Sequence, residues 1–213
     1  MDFTLLDRSI ETAALLDANG QIKLLPAAAY HAYSQQSLQL FGHRHARYGY
    51  PTVELIAWLK EKIGARKAIE IGSGTGDLAF HLGIPATDNH MQQWPHVRYH
   101  YELMGHPVIQ YPAFVERVDA IDAIDRYQPE VVVGSWITQW IDPNLPMPAA
   151  GGNMYGVKED QILDRGCTYI LIGNLGVHGA KNICRQPHQQ LELPFLRSRA
   201  THPLLDRVFV WEP

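Results

Sequence analysis

Apolar positions recur at two periods along this chain, and the switches between them outline its elements. Residues 26–41 carry Ala and Leu at helical spacing behind Pro26, predicting a helix that stops near Gly42. A polar and aromatic loop follows to Pro51. Thr52 then stands where an N-cap belongs, and Val53, Leu55, Ile56, Leu59 and Ile63 line one face of a second helix closed by Gly64. The period then shortens. Residues 68–71 read as a buried strand, and a short helix runs to about Leu82. A second strand ends at Asp88, and residues 90–101 read as irregular. A third strand is expected at 108–111 and a helix at 120–127. The run from Val131 to Ser135 is β-branched and apolar on both faces, as a central parallel strand should be. Residues 142–156 read as loop and 158–165 as helix. Another buried strand is expected at 168–173, no clear helix after Gly173, and a terminal strand alternating at period two over 207–211.

Strands alternating with helices predict an α/β fold, a three-layer sandwich on a mostly parallel sheet. Residues 1–51 are expected to form an N-terminal helical cap and residues 52–213 the α/β domain.

Composition narrows the class of protein. The 213 residues are 46% hydrophobic and 19% charged, with a formal net charge of -4. That balance does not mark a general nucleic-acid binder, although a local patch could still hold a nucleic acid. No apolar run suits a bilayer span, and residues 1–8 lack the basic flank and apolar core of a signal peptide. The expectation is a cytoplasmic protein without a membrane partner. Cys167 and Cys184 show no metal or redox spacing and read as reduced packing thiols. His43 and His45 lie two apart with no third ligand nearby, so no metal site is expected.

The candidate chemistry sits after the first strand. Gly72, Gly74 and Gly76 alternate with Ser73 and Thr75, and Glu70 lies two positions before them. Glycine lets the backbone turn sharply and approach a ligand closely. The helix that follows presents free N–H groups. Asp77 stands where a dinucleotide fold would need its third glycine, and no Lys-Ser/Thr follows for a phosphate loop. A carboxylate ahead of the turn suits a ligand that presents a cation. A structural turn without a ligand is the plainer alternative.

This stretch resembles the first motif of class I S-adenosylmethionine-dependent methyltransferases, and the order of elements resembles that family over residues 52–213. The resemblance implies the Rossmann-like methyltransferase fold, with a seven-stranded sheet and an antiparallel last strand. It also implies S-adenosyl-L-methionine as cofactor. Glu70 with the backbone of Gly72, Ser73, Gly74 and Gly76 would hold the methionine part, and Asp88 the ribose. Asn89 or Met91 would pack on the adenine and Asp119 would reach its amine, with Ser135 at the mouth of the fourth strand. Asp88 reads equally as a strand-end residue, Asp119 as a helix N-cap, and Met91 as core. The chain departs from the family in a short spacing from Glu70 to Asp88, which implies a truncated helix. It departs again in Ser135-Trp136 after the fourth strand, where the family places an acid or an Asn-Pro-Pro-Tyr.

Ligands of open α/β sheets lie beyond the strands' carboxyl ends. His178 is therefore the candidate general base, with Trp136, Trp140 and Tyr155 as an aromatic wall and Gln139 and Asn174 as orienting groups. Each has a plainer reading, His178 as a capping residue and the tryptophans as core. Tyr48 and Tyr50 read either as a lid or as a packed loop. The expected function is methyl transfer to a small-molecule or nucleobase-like acceptor, and a homodimer is compatible with it. The alternatives are a regulatory protein that binds S-adenosylmethionine or S-adenosylhomocysteine without transfer, and another nucleotide-using enzyme.

Overall fold

The computed structural model describes residues 10–213; the residues examined for a signal peptide lie outside that range. After a one-turn helix α1 (Thr12–Leu15), a 3-10 stretch (Ala27–Ala32) leads to α2 (Gln35–Arg44) and α3 (Val53–Ile63). Then come β1 (Ala68–Ile71), α4 (Asp77–Leu82), β2 (Ala86–Asp88), α5 (Pro95–Leu103), β3 (Val115–Arg117), α6 (Ala120–Tyr127) and β4 (Val131–Ser135). The chain continues through α7 (Asp160–Leu163), β5 (Thr168–Asn174), α8 (Leu175–His178), β6 (Gln189–Leu191) and β7 (Asp206–Trp211).

The strands form one seven-stranded sheet in the order β3-β2-β1-β4-β5-β7-β6. β1 pairs in parallel with both β2 and β4, while β7 runs antiparallel to β5 and β6. This is a mostly parallel, seven-stranded α/β sandwich with one reversed strand near its end. One face packs β1, β4, β5 and β7 residues such as Val131, Val133 and Ile170 against Leu55, Ile56 and Leu59 of α3 and Leu78 of α4. The other packs Ile69, Val132 and Leu171 against Ala123 and Ile124 of α6 and Ile162 of α7. Sheet order reverses direction between β1 and β4, so a crevice opens there at the carboxyl ends.

Residues from Ile10 to Tyr50 gather a separate apolar cluster around Tyr30, Phe41 and Tyr50. Polar contacts fasten it to the sheet layers. The Ile22 N–H donates to Asp77, and Gln35 Nε2 donates to the carbonyls of Ser198 and Ala200.

Several elements differ from the sequence expectations. The first helix is broken at Tyr33 and Ser34, both extended, because the Ser34 hydroxyl caps a new helix by accepting the Ser37 N–H. That helix runs through Gly42, where a Cβ would meet the Arg47 carbonyl and the Tyr50 hydroxyl at under 3 Å. The third strand lies at Val115–Arg117 rather than 108–111, since Pro112 cannot donate within a ladder and the Ile109 N–H goes instead to Gln92. Pro95 opens a helix where residues 90–101 read as irregular. The helix expected at 158–165 contracts to Asp160–Leu163. Asn174 caps a helical turn after Gly173. The terminal strand is buried on both faces, so its alternation carries no exposed side. No helix among the described residues is long and apolar enough to cross a membrane.

Candidate functional site

A cleft opens at the crevice between β1 and β4, and its floor is the glycine turn. Gly72, Gly74 and Gly76 have φ of 52°, 55° and 69°, the left-handed region that strains any residue with a Cβ. The Ser73 N–H donates to the Thr87 carbonyl at 3.0 Å and the Gly74 N–H to Asp88 Oδ2 at 2.9 Å, pinning the turn to the end of β2. Gly72, Ser73 and Gly74 line the cleft. Gly76 does not: it begins α4, where a Cβ would strike Phe114 and Val115. Close packing against Phe114 and Val115 accounts for a glycine there. Ile137 and Ile109 lie over Gly72 and Gly74, so close approach by apolar side chains accounts for part of the glycine requirement.

Glu70, Asp77, Asp88 and Asp206 bring four buried carboxylates to the cleft, and Arg47 and Arg197 also line it. Glu70 accepts the Ala79 N–H at 2.8 Å. Burial, with the neighbouring Asp77 and Asp88 charges adding to it, pushes its carboxyl up to about 8 against the lowering effect of that bond. Asp88 accepts N–H groups from Gly74 and His90, one at each oxygen, and burial still raises it. The Tyr111 hydroxyl donates to Asp88 as well, which leaves the carboxylate only part of its capacity for a further donor. Beside it stands Tyr111, pushed up by burial and by the Asp88 charge, with its ring partner His90 stacked at 3.9 Å.

Asp77 is the carboxylate with a cationic partner. Arg47 Nε lies 2.7 Å from Asp77 Oδ2, and the two side chains are each 9% exposed. The Ile22 N–H and the Thr75 hydroxyl complete the shell of Asp77, while Arg47 also donates to the carbonyls of His45 and Gly20. This pair clamps the cap onto the glycine turn. Arg47 was not a candidate in the sequence, where nothing local distinguishes it from Arg44.

Met91, Asp119, Ser135, Trp136 and Tyr155 also line the cleft. Asn89 does too, but its amide is committed, with Nδ2 donating to the Tyr155 carbonyl and Oδ1 accepting the Met91 N–H. Asp119 caps α6 by accepting the Ile121 N–H at 3.0 Å. Tyr155 carries its hydroxyl to His96 at 2.8 Å. The buried Ser73 Oγ has no hydrogen-bond partner among the described residues, which leaves a donor and acceptor for a ligand. Tyr50 donates to the Leu38 carbonyl and belongs to the cap core, whereas Tyr48 stands at the rim against Trp136.

The expected catalytic set divides. His178 does not line this cleft; it is buried behind Trp136, with ring centroids 5.2 Å apart. Its Nδ1 lies 2.9 Å from the Asn174 backbone nitrogen and 3.2 Å from the Asn174 carbonyl oxygen. Burial first, and then the Lys181 charge, lowers it to about 3. Buried and engaged at Nδ1, the ring stands across Trp136 from this cleft. Trp140 faces a neighbouring groove under Lys158, and Gln139 and Asn174 spend their amides on internal bonds. His43 packs on His106, and no group of three potential metal ligands occurs among the described residues.

A buried polar network went unread in the sequence. Lys181 Nζ lies 2.6 Å from both carboxylate oxygens of Glu159 and donates to the Ile137 carbonyl, while the Tyr169 hydroxyl donates to Glu159. It fixes the segment after β4 that carries Trp136 and Ile137. Trp136 itself has φ of 57°, a left-handed strain costing about 1–2 kcal/mol.

The cleft encloses about 190 Å3. That is below the roughly 300–1,000 Å3 of small-molecule pockets, so a nucleoside-sized occupant requires the Ile137 and Tyr48 side to yield.

No protein-family model matches the chain, and no curated protein matches its sequence. Among solved structures it is similar to SMU.776, described as a candidate methyltransferase and solved as a complex with SAH. The identity is 11% and the TM-score 0.35, over 71% of this chain and 47% of that one. The chain thus spans about half the length of that structure.

Proposed function

We propose that the chain binds S-adenosyl-L-methionine in the glycine-turn cleft and transfers its methyl group to an acceptor. The observation that carries this reading is the convergence of Glu70, Asp77 and Asp88 with the glycine turn at the sheet's switch point, in a cleft that holds four buried carboxylates, Asp206 included, against two arginines. Such a cleft favours a ligand with a cationic part. The available groups fit the cofactor: Glu70 and the turn for its ammonium end, the remaining capacity of Asp88 for ribose hydroxyls, Met91 and Asp119 toward the base. Bound there, the cofactor supplies an electrophilic methyl; the acceptor's lone pair forms the new bond as the carbon–sulfur bond breaks and its electrons pass to sulfur. The chain's share is positioning and exclusion of water.

Calorimetry with S-adenosylmethionine, S-adenosylhomocysteine and NAD tests the binding. Saturable binding of the two sulfur compounds and none of NAD is expected. Failure of both sulfur compounds to bind overturns the reading. Because the Glu70 carboxyl lies near 8, a cationic ligand at pH 7 should also release a proton, read from titrations in buffers of different ionisation enthalpy. Incorporation of labelled methyl into a cell extract separates enzyme from binder. The burial of His178 outside this cleft favours a second reading, a regulatory protein that holds the cofactor without transfer.

A further inference from the structure

Behind Trp136 lies a second cavity of about 710 Å3. It shares Tyr48, Trp136, Ile137 and Thr138 with the glycine-turn cleft, so these residues form a common wall. Its chemistry is the reverse of the first. No aspartate or glutamate lines it, whereas Lys181, Arg199, His178 and His202 do. Lys181 is neutralised by Glu159 behind it, and His178 is held neutral. The uncompensated cation is Arg199.

Arg199 is held in place without being consumed. Its guanidinium stacks on the Tyr48 ring at 3.8 Å, its backbone N–H donates to the Tyr48 carbonyl, and its Nη1 donates to the Gly42 carbonyl at 3.1 Å. No carboxylate pairs with it among the described residues. A guanidinium has five N–H donors in a planar fork, so several remain for a two-oxygen anion. The Trp136 and Tyr48 rings, 6.0 Å apart, present flat apolar surface beside that fork.

We infer that this cavity is the acceptor subsite and that it takes a planar aromatic carboxylate, with Arg199 gripping the carboxylate and Trp136 packing on the ring. The assignment as acceptor subsite rests on the proposed cofactor cleft; the anion-binding chemistry stands on the cavity itself. A carboxylate acceptor also suits a site whose imidazole, His178, is a weak base, because no proton has to leave before its oxygen attacks. The methyl goes onto a carboxylate oxygen, and the electron pair of the broken carbon–sulfur bond stays on sulfur.

The test uses salicylate, its uncharged planar counterpart benzamide, and the non-planar cyclohexanecarboxylate, titrated calorimetrically into the full chain with and without S-adenosylhomocysteine. Salicylate should bind at least about tenfold more tightly than either comparison compound. Arg199→Gln should weaken salicylate by about tenfold or more while leaving S-adenosylhomocysteine affinity within about twofold, and Arg199→Lys should retain part of the binding. Equal affinity for salicylate and benzamide, no saturation by salicylate, or an unchanged Arg199→Gln variant overturns the inference. If salicylate binds through Arg199 and S-adenosylhomocysteine does not bind, the anion site stands and the cofactor reading falls. The opposite result removes this inference alone.

Discussion

Two cavities meet at Trp136, and their walls carry opposite chemistry. On the glycine-turn side, four buried carboxylates stand against two arginines. On the far side no carboxylate lines the wall, and Arg199 stands unpaired by any acid among the described residues. The first is built by local signals at the ends of β1 and β2, the second by long-range packing of the cap, the β4 exit and the chain before β7. Opposite charge in adjoining cavities keeps two ligands of opposite sign apart while bringing them to a shared wall.

The sharpest way to break the comparison is to unbalance the acidic side. Arg47→Leu leaves Asp77 buried without its cation, and a loss of about 3–5 kcal/mol is expected in urea unfolding. A loss under about 1 kcal/mol would mean the cap does not depend on that clamp. Next, Glu70→Gln should weaken S-adenosylmethionine by at least about tenfold, read by calorimetry, with no loss of fold. The same variant tests the charge through pH. The Glu70 carboxyl sits near 8 in the folded chain against an ordinary 4.5, so between those values the folded state keeps a proton that the unfolded state has released. Its contribution is therefore most favourable below about 4.5 and declines as pH rises toward 8. Wild-type unfolding midpoints should fall across that window, and Glu70→Gln should flatten the slope.

Smaller effects sharpen the remaining boundaries. Asp119→Ala should cost about 1 kcal/mol through the lost helix cap, and Asp119→Ser should restore it. If affinity for S-adenosylmethionine recovers with the cap, Asp119 acts on α6 and not on the adenine. His178→Gln should cost about 1 kcal/mol for its buried bond to Asn174 and leave affinity in the glycine-turn cleft within about twofold. A methyl-transfer rate that lost its pH dependence in that variant would place His178 in the chemistry.

Much of the scaffold was legible because its signals are short-range. Thr52 and Asp119 cap the helices they precede, and Val131 to Ser135 forms the central strand its β-branched run implies. The third strand was misplaced because Val108 to Tyr111 has strand composition but Gln92 takes the Ile109 N–H from a distant loop. Gly42 was read as a stop because glycine usually ends helices; here it lies inside one, where the Tyr50 hydroxyl leaves no room for a Cβ. His178 lies across Trp136 from the glycine-turn cleft and lines the second cavity instead, a placement no local pattern encodes.

From the chain's order of residues alone came the strand–glycine turn–helix unit, the acid ahead of it and the acid after the second strand. Each depends on backbone conformations and hydrogen bonds within a few positions. Tertiary structure alone decided which charges meet. The Asp77 carboxylate receives an N–H from 55 positions away and Arg199 reaches a carbonyl 157 positions away. Such partners are chosen by how the cap lies on the sheet, a global packing outcome that no local pattern encodes.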